Sequence, residues 1–116
     1  MGYRKIAELL SDIFSQLARV KPKSIEAFIE GPILRYKLII TEETFIQIYF
    51  NEETGTTAFA LVSHGKRIFG IDYDTIRGWH KHPPKDPDKH ITHRQTRLSE
   101  FLDEALKIIN QTKRCQ

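Results

Sequence analysis

Residues 24–50 read SIEAFIEGPILRYKLIITEETFIQIYF, and this stretch carries the strongest fold signal in the chain. Three segments of it, 24–30, 34–40 and 44–50, are rich in β-branched and aromatic side chains. They are separated by Gly31-Pro32 and by Thr41-Glu42-Glu43, and residues of these types favour turns. The stretch therefore predicts three consecutive strands.

Two more strands are predicted downstream of this stretch. Residues 51–55 form a turn that leads into a strand over 56–63, and His64-Gly65 forms a second turn that leads into a strand over 66–73. The second turn has only two residues, and histidine accepts a positive φ less readily there than asparagine or aspartate. The prediction is a five-stranded antiparallel meander.

Apolar residues recur at intervals of three and four on both sides of these strands, which predicts two amphipathic helices. The first spans residues 3–20 and ends at Lys21-Pro22. The second spans about 94–112, and Thr92 with Gln95 matches the capping-box pattern at its start. The predicted fold is one α+β domain over residues 1–116: N-terminal helix, five-stranded antiparallel meander sheet, C-terminal helix.

The composition narrows the class of protein. A chain of 116 residues with 40% hydrophobic residues can form a single folded domain. Its one cysteine, Cys115, cannot form an intramolecular disulfide or a thiolate zinc site. The first 20 residues are interrupted by charges, and no apolar run approaches the length of a membrane span. We therefore expect a cytoplasmic protein without a membrane partner.

The clearest functional signal lies in residues 74–92, which are predicted to form an irregular loop. This loop contains His80, His82 and His90, and His93 follows it closely. The pKa of imidazole lies near physiological pH, so such a group suits proton transfer, metal binding or phosphate recognition. His80 and His82 share one side of an extended chain, while His90 and His93 share one face if the last helix begins there. We expect all four imidazoles to converge.

Metal binding is one interpretation of this pattern, because imidazole is a common zinc ligand. An all-histidine structural site would be unusual. The pattern His-x-His-Pro resembles the zinc motif of the JAMM (MPN) metalloproteases, which would imply a metal-binding hydrolase. That family continues with serine and aspartate where this chain has His90 and His93.

Cleavage of RNA without a metal or another cofactor is the other interpretation. RNA supplies its own nucleophile, the 2′-hydroxyl, so a base, an acid and a cation suffice. The candidate catalytic residues are His80, His82, His90 and His93. Arg77, Lys81 and Arg94 are candidate phosphate contacts, and Trp79 offers either a stacking face for a base or an amphipathic plug for the core. Residues 64–97 also carry eight lysines and arginines against four aspartates, which favours a phosphate-bearing partner.

The second half of the chain resembles the TumE-type proteins, the toxins of small toxin–antitoxin modules. The resemblance rests on RIFGID at 67–72, WHKHP at 79–83, His90 and LSEFL at 98–102. Arg67 and Asp72 fit the arginine and the aspartate of that family, whereas Tyr73 stands where an asparagine is expected. The resemblance implies a growth-inhibiting toxin that acts on RNA or on translation. Its partner would be RNA or ribosome-associated RNA. It also implies a cognate antitoxin, and it adds Arg67 to the candidate RNA contacts.

Two further expectations concern partners and Asp72. A non-catalytic protein-binding module remains the alternative function, and an exposed apolar patch would favour it over a basic cleft around His80 and His82. Association into a homodimer is left open. If the loop folds back on the sheet, Asp72 holds His80 or His82 in one tautomer, as a supporting carboxylate does.

Overall fold

The computed structural model describes residues 2–86 and 88–114, with side chains as far as Thr112, so Cys115 lies outside the described residues. Along the chain it contains α1 (Ile6–Val20), β1 (Ser24–Glu30), β2 (Ile33–Ile39), β3 (Thr44–Asn51), β4 (Thr57–Ser63), β5 (Lys66–Asp74), β6 (Gly78–His82), β7 (Ile91–Thr92) and α2 (Leu98–Arg114). The α+β class and the order of the predicted elements are confirmed.

The sheet has seven strands, so the prediction of five was wrong. Each strand pairs in antiparallel fashion with the next one in sequence. The two additional strands, β6 and β7, come from the segment that was predicted to be an irregular loop. The meander therefore continues through the histidine-rich segment, and that segment becomes one edge of the sheet.

A tight turn after β5 makes the sixth strand possible. The Asp74 carboxylate accepts hydrogen bonds from the backbone N–H groups of Ile76 at 3.0 Å and Arg77 at 2.6 Å. Gly78 then has φ +69°, a value that glycine adopts without strain. The chain reverses there, and β6 pairs with β5 from Asp74↔Gly78 to Gly70↔His82.

The predicted two-residue turn between β4 and β5 is confirmed. His64 and Gly65 have φ 54° and 76°, two positive values as in a type I′ turn, and Ser63 pairs with Lys66 across it. Contacts to Glu43 stabilise His64 in this conformation. The Glu43 carbonyl accepts the His64 N–H at 2.9 Å, and its carboxylate lies 3.1 Å from His64 Nε2.

The first helix begins and ends close to its predicted limits. The N–H of Ile6 donates to the Glu52 carboxylate at 2.7 Å, which satisfies one free donor of the first turn. Lys21 adopts the left-handed conformation and its N–H bonds to the Leu17 carbonyl, so α1 stops at Val20.

The second helix begins at Leu98 and not near residue 94, so the predicted capping box of Thr92 and Gln95 was wrong. Thr92 belongs to β7, whose pairing takes up its backbone. The first turn of α2 is satisfied instead by Glu100 and Tyr3. The Glu100 carboxylate accepts the Arg97 N–H at 3.0 Å, and the Tyr3 hydroxyl accepts the Leu98 N–H at 2.9 Å. Neither α1 nor α2, the helices in the described residues, is long and apolar enough to cross a membrane.

Both helices pack on the same face of the sheet. α2 lies against β4 and β5, where Phe101 stacks on Phe69 with a centroid distance of 5.1 Å. α1 packs against α2, and its Leu9 and Ile13 are buried in the same core. The helix starts beside Glu52, just after β3, and the chain that leaves it bonds to β2 through the Lys23 N–H and the Ile39 carbonyl. Burial of each large core side chain contributes about 1.5–3 kcal/mol. β1 extends past this cover, and all seven of its residues are exposed.

Candidate functional site

The side chains of β6 divide between the two faces of the sheet. Lys81 lies on the face that carries the helices, because its Nζ is 2.9 Å from the Glu104 carboxylate of α2. Side chains alternate along a strand, so Trp79 shares that face, whereas His80 and His82 lie on the opposite one. We call this opposite side, which carries no helix, the open face.

Three imidazoles meet on the open face and form what we call the histidine cluster: His80, His82 and His90. Their ring centroids are 4.5–5.4 Å apart, and one nitrogen of each ring lies within 4.8 Å of the others. His80 and His82 are only 4% and 5% exposed, while His90 is exposed above them. Imidazoles held this close can transfer protons or bind a metal ion.

Asp72 lies beside the histidine cluster, and Arg67 is bound to Asp72. Asp72 pairs with His80 across β5 and β6, and its Oδ2 lies 3.1 Å from His82 Nε2 and 3.7 Å from His80 Nε2. The expectation was that Asp72 holds His80 or His82 in one tautomer; the carboxylate lies closest to His82, whereas the ring of His80 bonds to the Gly78 carbonyl. Arg67 Nη2 donates to both oxygens of Asp72 at 2.6 Å, which leaves the guanidinium occupied with this carboxylate.

Gly70 provides the space for this arrangement. It pairs with His82 across the two strands, and the Arg67 guanidinium lies directly over its backbone. A Cβ at this position would be 2.6 Å from Arg67 Nε, well inside the contact distance. Gly70 was not predicted to belong to the site, although a glycine inside a strand signals the close approach of another group.

Hydrogen bonds fix the proton positions of two rings in the cluster. His80 Nδ1 is 3.1 Å from the Gly78 carbonyl oxygen, which can only accept, so Nδ1 carries the proton and Nε2 has the free electron pair in the neutral ring. His90 Nδ1 is 3.1 Å from Nη1 of Arg77, which can only donate, so neutral His90 carries its proton on Nε2. The cluster thus holds one nitrogen that accepts a proton and one that donates.

Arg77 is the exposed cation at the border of the cluster. Its side chain is 55% exposed, and its guanidinium also contacts the Asp74 carboxylate at 2.9 Å. Hydrogen bonds from the backbone and side chain of Arg77 lower the pKa of Asp74. This carboxylate anchors the guanidinium beside His90, where a phosphate on the open face can reach it.

His93 does not join the cluster, so the predicted convergence applies to three of the four imidazoles. Its N–H bonds to the Trp79 carbonyl at 3.1 Å, and its pKa is lowered by burial and by the neighbouring charge of Lys81. The expected match with His90 required a helix at residue 90, but the chain there enters β7. His93 therefore lies toward Lys81 and the helices.

The other candidate RNA contacts also lie away from the open face. Trp79 packs on Tyr73, with centroids 5.4 Å apart, and on the N-terminal segment at Gly2, as an amphipathic plug of the core would. Lys81 pairs with Glu104, and Arg94 pairs with Glu100 at 2.6 Å. Of the five candidates, only Arg67 and Arg77 border the histidine cluster.

Comparisons of the chain with protein-family models, with curated proteins and with solved structures found no match.

Proposed function

We propose that this protein is an RNA-directed toxin of the TumE type and that the histidine cluster is its working site. One observation carries the proposal. His80 Nε2, with a free electron pair, and the Nε2–H of His90 belong to the same compact cluster, and the exposed guanidinium of Arg77 stands beside it. A base, an acid and a cation are the three groups that metal-free RNA cleavage requires.

The proposed reaction uses the 2′-hydroxyl of RNA as the nucleophile. His80 Nε2 takes the proton of this hydroxyl while O2′ forms a bond to phosphorus. The P–O5′ bond breaks, and the departing oxygen takes the Nε2 proton of His90, which acts in its imidazolium form and returns to the neutral ring. Nδ1 also carries a proton in that form, so Arg77 turns from Nδ1 toward the phosphate before this step. The products are a 2′,3′-cyclic phosphate and a 5′-hydroxyl. Arg77 stabilises the negative charge on the phosphorane oxygens.

Access to the base sets a structural requirement for this reaction. The Nε2 atoms of His80 and His82 are shielded from solvent, whereas His90 is the exposed member of the cluster. The RNA therefore meets His90 and Arg77 first, and the His90 ring must turn away from His80 before the 2′-hydroxyl can reach the base. His82 stays paired with Asp72 and supports the neighbouring imidazole.

The proposed partners are free RNA or ribosome-associated RNA, and a cognate antitoxin that restrains the toxin. The surplus of basic residues between 64 and 97 supports a phosphate-bearing partner. We expect expression of the chain alone to slow bacterial growth. The substitution His90→Ala should restore growth if the histidine cluster is responsible for the toxicity.

The test is a time course of RNA cleavage by the purified, tag-free protein in a strong chelator. His90→Ala should slow cleavage by about a hundredfold or more, the usual size of a general acid contribution. His64→Ala is the matched control, since this histidine lies at the β4–β5 turn and contacts Glu43 instead. Intact RNA in every lane with folded protein would overturn the proposal, and so would equal rates for both variants.

A non-catalytic protein-binding module is the second candidate function, and strand β1 favours it. This edge strand has one neighbour, β2, and its Ile25, Phe28 and Ile29 are 42%, 47% and 54% exposed. Unpaired strand edges with apolar side chains readily accept another strand. Partner binding at β1 without any RNA cleavage would identify this function in place of the first.

A further inference from the structure

The histidine cluster has the composition and the spacing of a transition-metal site. One nitrogen from each of His80, His82 and His90 lies within 4.8 Å of the other two. In a tetrahedral zinc site the ligand nitrogens are about 3.3 Å apart, as follows from Zn–N bonds of about 2.0–2.1 Å. The three nitrogens must therefore approach one another by at most about 1.5 Å to reach ligand distance, and rotation of the imidazoles is the movement that would bring them together.

His80 is already oriented as a metal ligand. Its Nδ1–H donates to the Gly78 carbonyl at 3.1 Å, the backbone contact that commonly fixes the tautomer of a ligating histidine. Its Nε2 is buried, and it makes no hydrogen bond with any residue the structure describes. A buried imidazole nitrogen without a hydrogen bond is costly, and a metal ion would satisfy its electron pair.

Asp72 and His90 define the remaining surroundings of the ion. The Asp72 carboxylate lies 3.1 Å from His82 Nε2, so it can accept a proton from that ring or offset the charge of a cation above it. His90 is exposed, so the cluster opens to solvent on its side, and three histidine ligands would leave a fourth position for water or another ligand. Three histidines with one open position form a donor set known from catalytic zinc sites.

The ligand type selects the class of metal. Imidazole nitrogens suit zinc, cobalt, nickel and copper, whereas calcium and magnesium prefer sites made of oxygen ligands. We propose that His80, His82 and His90 bind one divalent transition-metal ion of this borderline class. We further infer that the ion and metal-free RNA cleavage exclude each other, because both use the free electron pair of His80.

Arg77 opposes metal binding in this arrangement. Its Nη1 donates to His90 Nδ1 at 3.1 Å, which places the proton of the neutral ring on Nε2. If the metal bound His90 at Nε2, the proton of the ring would move to Nδ1 and would point at the N–H of Arg77, which is also a donor. If the metal bound His90 at Nδ1, it would displace the Arg77 guanidinium. Removal of Arg77 should therefore tighten metal binding.

The experiment titrates the full, tag-free chain with Co²⁺ and follows its visible absorption, and Zn²⁺ is then added in competition. We expect one saturable site, displacement of Co²⁺ by Zn²⁺, and tighter binding in Arg77→Ala. His90→Ala should weaken affinity more than about a hundredfold, because the loss of a ligand exceeds the loss of an outer partner. Since His90 is exposed, this variant should keep its fold, which circular dichroism checks.

The matched control is His64→Ala, which should bind as the unchanged protein does. Absence of saturable binding, or equal affinities for the His90 and His64 variants, would overturn the metal site. Saturating Zn²⁺ should also abolish RNA cleavage in the unchanged protein, and acceleration by Zn²⁺ would overturn the competition. The titration does not depend on RNA, so metal binding without any cleavage would reject the proposed function alone.

Discussion

At the scale of residues, Asp72 is the positioning group of the site. Its carboxylate contacts the Nε2 atoms of His82 and His80 at 3.1 and 3.7 Å and is held by Arg67. At 3.1 Å this carboxylate favours a proton on Nε2 of His82, whereas the Gly78 carbonyl fixes the proton of neutral His80 on Nδ1. In the proposed reaction, Asp72 would therefore act through the histidines.

Asp72→Asn should reduce the kcat of RNA cleavage by about ten- to a hundredfold, the usual cost of losing the partner of a working histidine. Asparagine keeps the shape of the side chain, but it presents an amide in place of the charge. Nitrogen chemical shifts of the imidazoles should show a changed tautomer population for His82. Asp86→Asn is the control, and an unchanged kcat and tautomer in Asp72→Asn would remove Asp72 from the site.

Gly70→Ala should destabilise the protein by about 1–3 kcal/mol, because the new methyl group would overlap the Arg67 guanidinium. The same substitution should cost little when Arg67 is already alanine, since the overlapping group is then gone. Urea unfolding of the two single variants and the double variant measures this coupling. Additive effects would show that Gly70 serves another purpose.

The spacing of the histidines predicted part of the site. It did not predict which neighbouring residues lie outside the site or where His90 lies. His80 and His82 are two positions apart, which placed them on one side of an extended chain, and that prediction is confirmed. The same alternation puts Trp79 and Lys81 on the other face, but this follows only once the segment is known to be a strand. The position of His90 depends on how the chain returns to β7, which no local pattern encodes.

At the scale of elements, the contact between the N-terminal segment and α2 was also hidden in the sequence. The Tyr3 hydroxyl donates to Asp12 of α1 at 2.6 Å and accepts from the N–H of Leu98 at 2.9 Å. Tyr3 and Leu98 lie far apart in sequence, whereas a capping-box pattern is local. The local pattern therefore predicted Thr92, and not Tyr3, at the start of the second helix. The strands before residue 74 were predictable because each has a distinct turn at its end.

Tyr3→Phe should lower the free energy of unfolding by about 1–3 kcal/mol, because the buried Leu98 N–H then loses its acceptor. Equilibrium unfolding in urea at neutral pH provides the measurement. Tyr36→Phe is a matched control with another buried tyrosine. If the two variants lose the same stability, the hydroxyl of Tyr3 has no special role between the helices.

The stability of the protein should also fall at high pH through Tyr3. Burial and the hydrogen bond to Asp12 raise the pKa of Tyr3 above that of an unfolded tyrosine, about 10. The unfolded chain therefore loses this proton first, and its contribution to stability is complete below pH 10 and declines as pH rises. Tyr3→Phe should show a shallower decline above pH 10, and an identical slope would contradict the assignment.

At the scale of the whole molecule, the two candidate interaction regions lie at opposite edges of the sheet. The strand order runs from β1 to β7, so the exposed edge at β1 is six strands from β7, next to which the histidine cluster forms. A partner bound at β1 therefore leaves the cluster accessible. The proposed RNA site and a protein interface are compatible within one molecule.

If two copies of the chain associate through their β1 edges, an antiparallel pairing centred on Ala27 avoids contacts between glutamates. If the twofold axis passes through Ala27, Ile25 of one copy lies opposite Ile29 of the other, and no two glutamates face each other. An axis at position 26 or 28 would place Glu26 opposite Glu26 or Glu30. We expect such a homodimer in solution, and Ile29→Lys should convert it to a monomer that retains the proposed RNA cleavage.

Light scattering over a range of concentrations measures the mass of each form. Ile76→Lys is the matched control, since it removes an isoleucine that is 92% exposed at the β5–β6 turn. A monomeric unchanged protein at all concentrations would contradict the homodimer, and so would a dimer that survives Ile29→Lys.

The proposed activity of the histidine cluster is cleavage of RNA through the 2′-hydroxyl of the substrate. The most direct measurement compares two oligonucleotides in the presence of chelator, one entirely RNA and one with a single 2′-deoxy nucleotide at the cleaved position. We expect cleavage of the first into a 2′,3′-cyclic phosphate and a 5′-hydroxyl, and no cleavage of the second at that position. Equal cleavage of the two oligonucleotides, or complete loss of cleavage in chelator, would contradict it.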